Sequence, residues 1–125
     1  MNNPNVLIVD DLPENLLTLQ SMIEDLPINI FSASSGTDSL TILLRNKIDL
    51  ILLDINMPGI SGIEVATLIK GTKKTKEIPI IFISGSREKN YDNFKKIFPD
   101  NTDFFLKPID YDSLLDRIKQ ILGIK

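Results

Sequence analysis

In the segment Ile48-Asp49-Leu50-Ile51-Leu52-Leu53 every side chain but one is apolar. A strand with one wet face alternates apolar and polar residues. A run without alternation reads as a strand covered on both faces, as at the centre of a parallel sheet. Four further short runs read as strands: Val6–Val9, Ile28–Phe31, Ile78–Ile83 and Phe104–Leu106. The segments between them change period. Leu16, Leu19, Ile23 and Leu26 form a helical stripe behind Pro13, which suits a first helical turn. Leu40, Leu43 and Leu44 form a second, entered through Ser35-Gly36-Thr37. Ile63, Ala66 and Ile69 or Lys70 mark a third, opened by Ser61 with Glu64 at capping-box spacing. Tyr91, Phe94, Ile97 and Phe98 suggest a fourth, stopped by Pro99. Leu114, Leu115, Ile118, Ile121 and Leu122 give a fifth, with Asp110 or Asp112 near its start.

Strand and helix thus alternate five times, which predicts parallel pairing with each crossover made by a helix. Right-handed crossovers put helices on both faces of a doubly wound five-stranded α/β sheet. The 125 residues suffice for one domain, 1–125. The chain has no cysteine and no histidine, which excludes thiolate metal sites, disulfides, histidine-based triads and a phosphohistidine on this chain. A net charge of −3 argues against nucleic acid as a direct partner. No apolar run is long enough to span a membrane, and the N-terminus MNNPNVLIVDD lacks the pattern of a signal peptide. A cytoplasmic protein is the simplest expectation.

In such sheets ligands bind beyond the carboxyl ends of the strands. The first strand ends in Asp10-Asp11, the third in Asp54, the fourth in Ser84, and the fifth runs into Lys107-Pro108. Three carboxylates, a hydroxyl and an ammonium are therefore expected at one rim. Carboxylates about 4 Å apart repel by roughly 4 kcal/mol per pair at an effective dielectric of 20. A hard divalent ion, Mg²⁺ or Mn²⁺, relieves that repulsion in an all-oxygen site. An anion between the ion and Lys107 is well stabilised, as phosphoryl transfer requires. A carboxylate can itself be the nucleophile, and Asp54, on the most buried strand, is the best candidate. Ser84 can donate a hydrogen bond to a phosphoryl oxygen. Taken singly, each acid reads more readily as a cap or turn residue, Asp11 before Leu12-Pro13 above all. The functional reading rests on four strands delivering complementary groups to one edge.

The segments VLIVDD at 6–11, LILLDINMPGISG at 50–62, IIFISGS at 80–86 and FFLKP at 104–108, in this order, resemble the receiver domain of two-component response regulators over Val6 to Leu122. The resemblance implies a (βα)5 fold of strand order 2-1-3-4-5. It implies that Asp54 accepts a phosphoryl group from a phosphohistidine on a histidine kinase or phosphotransfer protein. Mg²⁺ would be held by Asp11, Asp54 and the backbone carbonyl of Asn56, with Asp10 acting mainly through a water. Lys107 would pair with the phosphoryl group, and the Lys107-Pro108 bond is expected to be cis. Ser84 and Phe104 take the switch hydroxyl and switch aromatic positions. Their movement would remodel the face made by the fourth helix, fifth strand and fifth helix for a downstream effector domain or protein. Phosphorylation-dependent homodimers through that face are common in the family. By this reading the chain catalyses its own phosphorylation and slow dephosphorylation but is not a turnover enzyme. A stand-alone regulator, a piece of a larger regulator and a piece of a hybrid kinase all remain open.

Other segments have plainer expectations. Met57 is packing, and Pro58-Gly59 suits a tight turn. The lysines from Lys70 to Lys76 are expected on a solvated surface near a helix end. Phe31, Phe82 and Phe105 are core or near-core fill. Tyr91, Ile109 and Tyr111 are expected on the output face, Asn56 and Ser86 beside the path of a hydrolytic water, and Leu12, Pro13, Asn15 and Leu16 on a kinase-docking surface. A Mg²⁺-dependent phosphatase would need a second acid two residues after Asp54, where Asn56 stands. A dinucleotide-binding domain would need a glycine-rich turn where Asp10-Asp11-Leu12-Pro13 stands. A degenerate receiver that only mediates protein contacts would not need the complete set of site residues.

Overall fold

The apolar runs assemble in the computed structural model as one parallel sheet of order β2-β1-β3-β4-β5, described over residues 2–85 and 96–125. The strands are β1 (Asn5–Val9), β2 (Asn29–Ala33), β3 (Leu50–Asp54), β4 (Ile80–Ser84) and β5 (Thr102–Leu106). Four helices lie among the described residues: α1 (Pro13–Ile23), α2 (Gly36–Arg45), α3 (Gly62–Lys70) and α4 (Tyr111–Leu122). Tyr91, Phe94 and Ser86 lie outside the described residues. Of the other residues expected in the segment before β5, Phe98 is buried and Ile97 exposed.

Strand alternation divides the core. Val6, Ile8, Leu50, Leu52, Ile81 and Ile83 pack under α1 and α4, with Leu19, Ile23, Leu114 and Ile118. Leu7, Val9, Ile51, Leu53, Ile80 and Phe82 pack under α2 and α3, with Leu43, Val65, Ala66 and Ile69. β1, β3 and β4 are covered on both faces, which is why their sequences do not alternate. Truncating any of these fully buried Leu or Ile side chains to Ala costs about 2–5 kcal/mol.

Several boundaries differ from the sequence expectation. β2 runs on to Ala33 because it pairs with β1 as far as Val9↔Ala33, although the edge position leaves Ser32 exposed. β5 begins at Thr102, whose pairing with Ile80 extends the strand through two polar residues. β3 starts at Leu50 because Asp49 is used to bind the start of β1 through Asn5. Leu44, expected in the core stripe of α2, is 72% exposed; the helix turns about 100° per residue, and Leu43 takes the inward position.

The caps follow the sequence. Ser35 accepts from the Asp38 N–H, Ser61 and Glu64 form a reciprocal capping box, and Asp110 accepts from Ser113. The lysine run is more ordered than a freely solvated surface. Lys74 donates to the Leu44 carbonyl at the end of α2, and Lys70 donates to the Lys76 and Ile78 carbonyls. The first satisfies a carbonyl in the last turn of α2, and the second satisfies carbonyls in the loop that leads into β4. Burial pulls the Lys70 ammonium below the usual lysine value, with Glu77 and Asp100 opposing.

One close approach matters for the site. The N–H of Gly62 donates to the Ile55 carbonyl at 3.0 Å, and a Cβ on Gly62 would stand 2.5 Å from the Asp54 carbonyl oxygen and 2.7 Å from the Ile55 Cα. These are backbone atoms and cannot rotate away. Gly62→Ala is expected to destabilise the domain by about 1–3 kcal/mol by forcing the strand end and α3 apart. Urea denaturation checks this; a variant as stable as the wild type counts against so tight a junction.

Candidate functional site

Asp10 follows β1 directly, and Asp54 and Ser84 are the last residues of β3 and β4. β1 lies beside β3, and β3 beside β4, so the three arrive at one rim. β5 brings Lys107, whose N–H donates to the Ser84 carbonyl at 2.8 Å. The Lys107-Pro108 peptide is cis, as expected. Ligand oxygens of Asp10, Asp11 and Asp54 all lie within 4.8 Å of one another. Asp10 and Asp54 are buried and Asp11 is half-buried. The three acids and the lysine expected at one rim thus come together in space, with Ser84 ending the strand next to Asp54.

The carboxylates are held differently. Asp10 accepts from the Leu12 N–H at 3.0 Å and from Asn15 Nδ2 at 3.1 Å. Asp10, and not Asp11, therefore supports the start of α1: the N-cap residue Leu12 has no side-chain cap, and Asp10 binds its backbone. Asp11 makes no hydrogen bond with another described residue. Lys107 Nζ stands 3.7 Å from Asp10 Oδ2, an ion pair but too long for a strong hydrogen bond. Asp54 Oδ1 accepts from the Asn56 N–H at 3.2 Å. Burial, then the charge of Asp10, push the Asp54 carboxyl up to about 6, against the pull of Lys107. Burial of the carboxylate is thus the first cause, and its acidic neighbour the second. An oxygen-only donor set of this kind fits a hard divalent cation.

Ser84 is fully buried, and its Oγ accepts from Asn56 Nδ2 at 3.4 Å. Alternation puts Ser84 on the same sheet face as Phe82, which pairs in register with Phe104 on β5. Phe104 is partly buried against the α2–α3 cluster on that face. Asp10 and Asp54 fall by the same alternation on the α1–α4 side. Met57 is buried, and Gly59 has φ 76°, consistent with packing and a tight turn after Asn56.

Beside the cluster is a cavity of about 220 Å³ lined by Asp10, Asn15, Thr18, Lys107, Ile109 and Tyr111, among others. Ile109 and Tyr111 are half-buried, packing against the α1–α4 cluster and lining this cavity. Sequence reasoning misses Asn15 as a partner of Asp10. Its position in the first turn of α1, five residues after Asp10, is the signal available.

The profile of the response regulator receiver domain matches residues 6–119. Protein PilH of Pseudomonas aeruginosa is 29% identical over 118 residues, covering 94% of this chain and 97% of that protein. A probable cyclic di-GMP phosphodiesterase of Vibrio cholerae is 37% identical over 114 residues, covering 90% of this chain and 25% of that protein. This chain therefore spans nearly all of one relative and about a quarter of the other. The solved structure of chemotaxis protein CheY4 of Vibrio cholerae superposes with a TM-score of 0.85 at 22% identity, over 96% of this chain and 99% of that one, a likeness of fold. With the profile spanning almost every element that builds the acidic rim, this chain belongs to the receiver domain family of two-component response regulators.

Proposed function

We propose that Asp54 is the phosphoacceptor of this chain, taking a phosphoryl group from the phosphohistidine of a histidine kinase or phosphotransfer protein. The observation that carries this reading is the meeting of Asp10, Asp11 and Asp54 within 4.8 Å beside Lys107. Asp10, Asp11, Asp54 and the Asn56 carbonyl would hold Mg²⁺, with Mn²⁺ an alternative. When bound, the ion supplies the positive charge that lets clustered carboxylates ionise and that offsets charge on the phosphoryl oxygens. An ionised Asp54 oxygen forms a bond to phosphorus while the phosphorus–nitrogen bond breaks, the electron pair staying on the imidazole. Lys107 faces the incoming charge, and the Ser84 hydroxyl donates to a phosphoryl oxygen. Because this chain has no histidine, the phosphohistidine belongs to a partner. The exposed Leu12 and Leu17 of the α1 region suit docking of that partner.

Phosphorylation acts as a switch and not as turnover. When Ser84 moves toward the phosphoryl group, space opens on the face it shares with Phe104, and the ring turns inward. The surface of β5 and its flanking helices changes, and a downstream effector domain or protein, or a second copy of the chain, reads it. Arg117 Nε and Asp103 Oδ2, 2.8 Å apart, tie α4 to β5 on this surface. No helix among the described residues is long and apolar enough to cross a membrane. Residues 1–125 are proposed to act as one cytoplasmic receiver unit, on the family match over residues 6–119.

The test is intact mass after incubation with Mg²⁺ and acetyl phosphate. Wild type should gain one phosphoryl group, and Asp54→Asn none. An unchanged wild-type mass across several small phosphodonors, with metal present, would favour a receiver that only mediates contacts. Repeated turnover of phosphate esters would favour a phosphatase.

A further inference from the structure

Asn56 touches both the acceptor and the switch. Its backbone N–H donates to Asp54 Oδ1 at 3.2 Å, and its side-chain amide donates to Ser84 Oγ at 3.4 Å. Its backbone is fixed on both sides. Ile55 is buried and donates its N–H to the Ile83 carbonyl at 3.0 Å, and Met57 is buried in the core. A short side chain on so constrained a backbone reaches one place with little loss of freedom. Ser84 is equally constrained, fully buried and bound through its carbonyl to the Lys107 N–H. What Ser84 can change is the direction of its hydroxyl.

We infer that Asn56 is a latch on the switch: its amide holds the Ser84 hydroxyl in the resting arrangement and must release it before that hydroxyl can serve a phosphoryl group. The inference rests on the phosphoacceptor reading above. A contact made in the resting state and broken in the switched state favours the resting population. It raises the phosphoryl occupancy needed to shift the equilibrium. Asn56 is thus a positioning residue acting through Ser84. Its side chain sets how readily the switch responds, separately from its backbone carbonyl in the metal site.

The test is a double-mutant cycle of Asn56→Ala and Ser84→Ala, with beryllofluoride and Mg²⁺ as the phosphoryl probe. Nuclear magnetic resonance of the Phe104 ring reports the two packings. Removing the amide should lower the beryllofluoride concentration for half-conversion by about 2- to 5-fold, the effect of one long, neutral hydrogen bond. It should also move the ring signals toward the switched position without the probe. In the Ser84→Ala background Asn56→Ala should do neither. The cycle cancels any effect of Asn56→Ala on metal binding, which acts in both backgrounds. Equal shifts in both backgrounds, or weaker response in Asn56→Ala alone, overturn the latch and leave the phosphoacceptor reading standing. A wild type that binds no beryllofluoride with Mg²⁺ present overturns that reading and the latch with it.

Discussion

Without metal, Asp54→Asn should be more stable than the wild type at pH 8, and the advantage should shrink as the pH falls. The folded-state carboxyl is pushed up to about 6 from 3.8, by burial first and the charge of Asp10 second. Its folded pKa therefore lies above its unfolded pKa. Below pH 3.8 both states hold the proton and there is no penalty. Between 3.8 and about 6 the unfolded chain loses the proton first, so stability falls as pH rises. Above about 6 the penalty is complete, at about 2–3 kcal/mol, because a tenfold difference in proton affinity between the two states is worth about 1.4 kcal/mol. Asparagine has no charge to bury and keeps an oxygen for the Asn56 N–H. The advantage of Asp54→Asn should fall below about 1 kcal/mol by pH 4. Urea denaturation of both proteins in chelator at pH 4 and pH 8 measures it; titrating groups remote from Asp54 cancel in the difference. A gap that does not change with pH would falsify burial of the Asp54 charge as its origin.

The second large effect is the response to Mg²⁺. At a free concentration one hundred times the dissociation constant, an ion that binds only the folded state stabilises it by about 2.7 kcal/mol. Wild type should therefore gain several degrees in thermal midpoint on titration with Mg²⁺, and Asp11→Ala should lose most of that gain. Asp11 is the cleanest of the three acids to remove. It accepts no hydrogen bond from another described residue, whereas Asp10 also supports the Leu12 N–H and Asn15. Asp11→Ala should match or exceed wild-type stability in chelator, since it also relieves repulsion of Asp54. Calorimetry with and without Mg²⁺ checks both statements. Equal Mg²⁺ stabilisation of wild type and Asp11→Ala would place the ion elsewhere.

These two effects share a cause. Among the described residues the pocket gathers three carboxylates. Lys107 is the cation facing it among the described residues, and at 3.7 Å from one oxygen of Asp10 it offsets part of the repulsion among three carboxylates. The resulting cost to the metal-free domain is confined to one rim, away from the buried apolar clusters on the two sheet faces.

Local sequence determined much of this protein. Unbroken apolar runs in β1, β3 and β4 announced a sheet buried on both faces. Pro13, the Ser61–Glu64 box and Asp110 marked helix starts, because caps and first turns depend on neighbours within four residues. The site residues were legible because a parallel sheet sends every strand's end to the same side. Tertiary structure alone decided the rest. β2 and β5 extend through polar residues because pairing with a neighbouring strand supplies hydrogen bonds that composition does not reveal. Leu44 points outward and Leu43 inward because helix rotation relative to the sheet sets the buried side. Asn15 reaches Asp10, Asn56 reaches Ser84, and Gly62 lies against Asp54 because separate elements converge there. Contacts between residues far apart in the chain depend on distance in space, and only folding brings those side chains within reach of one another.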